Sequence, residues 1–193
     1  MRRSLAAVAP PSFRIYVNVS ADTDPLEQII DRQVRDTDAD GTPLSGLGIE
    51  ITEQAIVADP RSASEALATA RSRGMAVVLD DVGTGYSSLS LIRSLPLDGL
   101  KIDATFVQGM ARDPADAALV ASVAALGHRL GLSVTAEGVE TERQLADIVG
   151  EGVDVAQGYL FSPAVDAATL GGWLSGGPPW TEPRPASRVR VGR

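Results

Sequence analysis

The chain has 193 residues, 44% of them hydrophobic and 22% charged, enough for one core and too few for two ordinary domains. Cysteine is absent, which excludes disulfides, zinc–thiolate sites and thiol nucleophiles and fits a cytoplasmic protein. The net charge is −8, and the arginine-rich C-terminus leaves the rest more acidic still, so divalent cations are expected partners and DNA or RNA is not.

Residues 1–12 read as a ragged start, because their short apolar run ends at Pro10-Pro11. From residue 13, strand and helix patterns alternate six times. The strands fall at 13–20, 46–53, 75–81, 99–103, 132–137 and 155–161; the helices at about 24–37, 61–73, 86–94, 115–130, 141–150 and 166–174. Asp59-Pro60 and Asp113-Pro114 each place a capping side chain before a proline suited to a first turn. Thr141 through Gln144 has the form of a capping box, and Gly74 and Gly131 sit where helices should end. Leu67, Ala70 and Arg71, then Leu119, Val123, Leu126 and Leu130, recur at helical spacing and are expected to face the core. Residues 175–193, rich in proline and arginine, read as a disordered tail. No apolar run approaches the ~18 residues that a membrane span needs.

Repeated strand–helix units imply a parallel α/β sheet, either open and doubly wound or closed as a barrel. Asn18, Glu50, Asp80, Asp81, Lys101, Asp103, Glu137 and Gln157 fall at or near the C-terminal ends of all six strands. An open sheet gathers its functional residues at one switch point, whereas a barrel draws them from nearly every strand. The distribution favours a TIM-type (β/α) barrel over residues 13–174, with about six of the eight units present.

The most telling segment is Asp80-Asp81-Val82-Gly83-Thr84-Gly85-Tyr86-Ser87, in which two carboxylates end a buried-type strand and a hydroxyl-rich turn follows. One Asp is explained by a helix cap; two beside such a loop suggest a cation and a phosphate. The oxygen donors of Asn18, Glu50, Asp80 and Asp81 suit Mg²⁺ or Mn²⁺ and suffice for two ions. Lys101 adds a fixed cation, Glu137 is a candidate general base, and Gln157 can orient a base or a water. The set points to phosphodiester hydrolysis with two metals. Taken singly, most of these residues have a structural alternative: Lys101 with Asp103 as an ion pair across the mouth, Asn18 and Gln157 as turn hydrogen bonders. His128, the only histidine, reads as structural or exposed.

The segments Val17-Asn18-Val19-Ser20, Ile49-Glu50-Ile51-Thr52-Glu53, Asp80 through Leu89, Leu100-Lys101-Ile102-Asp103, Ala136-Glu137-Gly138-Val139-Glu140-Thr141 and Gln157-Gly158-Tyr159-Leu160-Phe161 closely resemble the EAL domain, a family of bacterial phosphodiesterases that linearise cyclic di-GMP to pGpG. The resemblance spans about residues 13–174. It implies that Asn18, Glu50 and Asp80 hold a first ion, and that Asp81, supported by Asp103, holds a second, with Asp80 between the two. Lys101 corresponds to the lysine near the attacking water, Glu137 to the general base and Gln157 to its neighbour. Glu53 corresponds to the anchor of the loop carrying Gly83, Thr84, Gly85, Tyr86 and Ser87. Val82 stands where phenylalanine is usual.

The Glu-Ala-Leu segment that names the family, and the phosphate-gripping arginine after it, are not found at an early strand. Ser64-Glu65-Ala66-Leu67 falls mid-helix between two later strands. The sequence therefore reads as an N-terminally truncated domain, expected to be oligomeric, as a homodimer, or completed by another chain, and impaired in hydrolysis. The alternative is a non-catalytic relic that binds nucleotide or protein in second-messenger signalling.

Overall fold

The computed structural model describes residues 13–19, 25–40, 44–57, 59–84, 89–177 and 190–191. Its strands are β1 (Ile15–Val19), β2 (Leu47–Thr52), β3 (Ala76–Val82), β4 (Gly99–Ile102), β5 (Ser133–Ala136), β6 (Val155–Ala156) and β7 (Arg190–Val191). The helices are α1 (Leu26–Asp40), α2 (Glu53–Val57), α3 (Pro60–Ser72), α4 (Leu89–Ser94), α5 (Ala104–Gly109), α6 (Pro114–Leu130), α7 (Glu142–Gly150) and α8 (Ala167–Gly176).

All strands pair in parallel, and their order across the sheet is their order in the chain. No reversal interrupts that order, so the sheet has no switch point. Side chains from six successive strands, Asn18, Glu50, Val78, Lys101, Thr135 and Val155, line a single cavity. The sheet thus curls around a lumen as a half-barrel, in agreement with the incomplete barrel expected from the sequence.

The capping signals act as their chemistry dictates. Asp59 accepts from the Ser62 amide at 3.1 Å, and Asp113 from that of Ala115 at 2.8 Å, each ahead of a first-turn proline. Thr141 and Gln144 form the reciprocal box at the start of α7. Gly131 ends α6 with φ of 73°, a left-handed conformation open to glycine at little cost.

β3 is buried along its length apart from Asp81, as a strand covered on both faces must be. The helix α3 packs against it, with Leu67 and Ala70 fully buried. Burying each such aliphatic side chain contributes about 1.5–3 kcal/mol.

Four sequence expectations are corrected. The core stripe of α6 is Val120, Val123, Ala124 and Gly127, while Leu130 and, on α3, Arg71 are exposed. Gly127 belongs to that stripe because Val134 lies where a Cβ would project, only 2.3 Å away. The sixth strand stops at Ala156 instead of running to 161: Val139 donates to the Gln157 carbonyl and the Leu160 amide to the Val139 carbonyl, so the chain folds back as a turn. Gly158 permits this, since a Cβ there would meet the Val139 backbone at 2.2 Å. Two short helices, α2 and α5, follow β2 and β4 where the sequence reading placed none. Finally, within the span read as tail, Arg190–Val191 pairs with β6. Among the described residues no helix is long and apolar enough to cross a membrane.

Candidate active site

A regular strand sends adjacent side chains to opposite faces. Val78 and Asp80 share the lumen face of β3, which should turn Asp81 outward. Two observations explain why it does not. The pairing of β3 with β4 slips between Leu79 and Val82, where three steps on one strand match two on the other. Asp81 itself has φ of 57°, alone among the described non-glycine residues in being positive. This bulge rotates the second carboxylate back to the mouth, at a cost of order 1–3 kcal/mol. As a result one carboxylate oxygen from each of Asp80, Asp81 and Glu137 lies within 4.8 Å of the others.

Lys101 stands at the centre of the mouth and is only 4% exposed. Its Nζ donates to Glu50 Oε2 at 2.7 Å, to Asp80 Oδ2 at 3.3 Å and to Glu137 Oε1. The structural alternative, a pair of Lys101 with Asp103, gives way to this tripod, because Lys101 points into the lumen from β4 whereas Asp103 has already left the strand. Asp103 caps α5, accepting from the Thr105 amide at 2.8 Å and from the Thr105 hydroxyl. Thr105 went unnoticed in the sequence; an Asp followed two residues later by Thr is the local signature that marks it. Asp80 Oδ1 accepts from the Asp81 amide at 3.0 Å, which orients the first carboxylate from the backbone of the second.

Glu50 lies on β2 opposite Asn18 of β1, so their side chains share the lumen face. Asn18 and Gln157 are exposed at the two ends of the half-barrel and line the same cavity as Glu50 and Lys101. Its volume is about 570 Å³, within the range of small-molecule sites. Glu53, the first residue of α2, is 3% exposed. Gly83 packs against Phe106 and Thr84 donates to the Asp81 carbonyl, whereas Gly85, Tyr86 and Ser87 lie outside the described residues.

The charges are unbalanced. Burial raises the Glu137 carboxyl above its ordinary range; Lys101 opposes this, and Asp80 and Glu50 add to it. Burial, then Asp80 and Asp103, raises Asp81 as well. Burial alone would lower Lys101, but its hydrogen bonds to Glu137 and Glu50 outweigh that and hold it protonated well beyond neutral pH. One ammonium cannot neutralise so many carboxylates. The surplus of hard oxygen donors, converging within 4.8 Å, fits a divalent cation of the Mg²⁺, Mn²⁺ or Ca²⁺ type.

The profile of the EAL domain family matches residues 1–164. The chain belongs to the EAL domain family. It is 41% identical over 120 residues to the cyclic di-GMP phosphodiesterase RocR of Pseudomonas aeruginosa, covering 62% of this chain and 31% of that protein. It superposes on the crystal structure of the EAL domain of Mycobacterium smegmatis DcpA with a TM-score of 0.81 at 34% identity, covering 92% of this chain and 79% of that one. For Klebsiella pneumoniae BlrP1, solved as a manganese and cyclic di-GMP complex, the TM-score is 0.71 at 30% identity, with 83% of this chain and 41% of that one covered. The chain spans only 20%, 23% and 31% of the length of three curated relatives it matches.

Proposed function

We propose that this chain carries the two-ion site of a cyclic di-GMP phosphodiesterase, which opens one phosphodiester bond to give linear pGpG. The observation that carries the reading is the convergence of Asp80, Asp81 and Glu137 within 4.8 Å above a cavity fit for a ligand. The manganese and cyclic di-GMP complex of BlrP1 supports it. In this reading Asn18, Glu50 and Asp80 face the first ion, and Asp81 and Asp103 the second.

Mg²⁺ or Mn²⁺ ions, when bound, supply Lewis-acid charge to water and to phosphate oxygens. The chain's own residues do the rest. Asp80, fixed by the Asp81 amide and by Lys101, holds the centre of the mouth. Glu137 lies at hydrogen-bond range of Lys101, and its raised pKa brings it nearer to that of an effective base at neutral pH. Lys101 presents a permanent positive charge to the reacting phosphate. Gln157 at the rim orients water or the base. Glu53 anchors the loop of Gly83, Thr84, Gly85, Tyr86 and Ser87.

Glu65-Ala66-Leu67 does not supply the missing motif. It lies on α3, with Ala66 and Leu67 in the core and Glu65 in solvent on the outer side. Among the described residues the mouth is lined by the donors named above, and we expect cyclic di-GMP binding to be measurable whether or not turnover is fast. Because β1 is the outermost strand at its edge among the described residues, a second reading is a binding module whose sheet is extended at β1 by a second copy or another chain. Calorimetric titration with cyclic di-GMP in Mn²⁺, paired with chromatography of the products, separates the cases. Binding is expected in both. Formation of pGpG favours the phosphodiesterase, binding without it favours the module, and no binding in Mn²⁺ would remove the cyclic di-GMP reading altogether.

A further inference from the structure

Lysine has three N–H donors and no acceptor, and Lys101 directs its ammonium at three carboxylates from three strands or their ends, Glu50, Asp80 and Glu137. Two of these, Glu50 and Asp80, are the residues assigned above to the first ion. Both oxygens of Asp80 already accept a hydrogen bond, Oδ1 from the Asp81 amide and Oδ2 from the Lys101 ammonium. A cation that takes Asp80 and Glu50 therefore enters the place where positive charge already sits.

We infer that Lys101 is a resident counter-cation that holds the mouth together before metal arrives and must yield Glu50 and Asp80 to the incoming ion. The inference rests on the two-ion reading of this site. Its physical basis is charge. Buried carboxylates repel one another in a medium of low effective dielectric, and breaking a buried pair by removing one partner is strongly destabilising. The ammonium suppresses that repulsion without metal, and for the same reason it opposes a second cation at contact distance. The arrangement keeps the half-barrel mouth folded at low metal concentration and sets metal affinity below what the oxygen donors alone would give. Once displaced, the lysine stays in the mouth, within reach of Glu137 and of a phosphate.

This assigns opposite signs to two effects of one substitution, which a merely structural lysine would not produce. In Lys101→Met the melting temperature in chelator should fall, while the affinity for Mn²⁺, read from the loss of the free-ion electron paramagnetic resonance signal, should tighten about tenfold or more. Saturating Mn²⁺ should close the gap in melting temperature. Lys101→Arg, which keeps the charge, should retain wild-type Mn²⁺ affinity to within a few-fold. If Lys101→Met is unfolded in chelator, refolding on addition of Mn²⁺ supports the inference; failure to refold with Mn²⁺ overturns it. Unchanged or weaker Mn²⁺ binding by Lys101→Met, with the wild-type chain binding normally, overturns the inference alone. Absence of Mn²⁺ binding by the wild-type chain and both variants overturns the two-ion reading and the inference together.

Discussion

The two ends of the half-barrel use carboxylates in opposite ways. At the lower rim, Asp98 just before β4 accepts from the Val77 amide of β3 at 2.9 Å and from Arg71 at 2.8 Å. Asp154, just before β6, accepts from the Val134 amide of β5 at 2.8 Å and meets His128 at 2.9 Å. Each acid stitches its own strand to the preceding one and has a cationic or polar neighbour. At the upper mouth, Glu50, Asp80 and Glu137 share a single lysine, and Asp81 is held there by a strained backbone. Satisfied acids contribute stability; crowded, under-compensated ones store a demand for cations. Within one fold, that contrast separates residues that hold the barrel from residues available for chemistry.

The largest effect is expected from breaking the upper set. Asp80→Asn should lower Mn²⁺ affinity at least about a hundredfold, the upper end of what even outer-shell partners of a metal cost. It also removes one negative charge from a crowded site, so stability in chelator should hold or rise. Equal Mn²⁺ affinity in a titration of this variant would show that Asp80 is not a ligand.

The mirror experiment at the lower rim is Asp98→Ala. It strands the Val77 amide at the buried start of β3, a loss of about 1–3 kcal/mol in urea unfolding. The Arg71 pair adds little, since both partners are substantially exposed. Mn²⁺ affinity should not move. A fall in affinity equal to that of Asp80→Asn would erase the distinction between the two ends.

A subtler difference lies in pH. Glu137 and Asp81 have raised carboxyls in the folded chain, so between their ordinary values and the raised ones the native state binds more protons than the unfolded state. The sign follows: their contribution becomes less destabilising as pH falls through that window and more so as it rises. Compared with Glu137→Gln, the wild-type chain in chelator should gain stability as pH is lowered from neutral through the raised value toward 4.5. Mn²⁺ should flatten that difference, because a bound cation pulls carboxyl pKa values down. Parallel stability–pH curves for the two proteins in chelator would contradict the crowding.

What could be read from the sequence was whatever depends on neighbours along the chain. Asp59, Asp113 and Thr141 cap their helices through groups two or three residues away, and six strand–helix alternations were enough to indicate a barrel. That Glu50, Asp80, Asp81 and Glu137 gather at one mouth was legible because each falls at or near a strand end. What was not legible depends on contacts across the fold. The slip that turns Asp81 inward arises from pairing with β4, and the choice of Lys101 for Glu50 and Glu137 over Asp103 arises from lumen geometry. The early end of β6 follows from Gly158 meeting the Val139 backbone, a contact nineteen residues distant in sequence that no periodicity records.

The smallest expected effect sharpens the comparison within the lower rim. His128 and the Val134 amide both meet the same oxygen of Asp154, Oδ2. Asp98, by contrast, gives Arg71 one oxygen and Val77 the other. If these acids stabilise chiefly by receiving an amide near the start of a strand, removing the imidazole should matter little, and removing the carboxylate should matter more. The His128–Asp154 pair is exposed on both sides, which limits it to less than about 1 kcal/mol. His128→Gln should therefore shift the urea midpoint only slightly, whereas Asp154→Ala, which leaves the Val134 amide without its acceptor, should cost about 1–3 kcal/mol. A His128→Gln loss as large as that of Asp154→Ala would mean that the imidazole, not the amide, does the stitching, and the lower rim would then depend on side-chain partners as the upper mouth does.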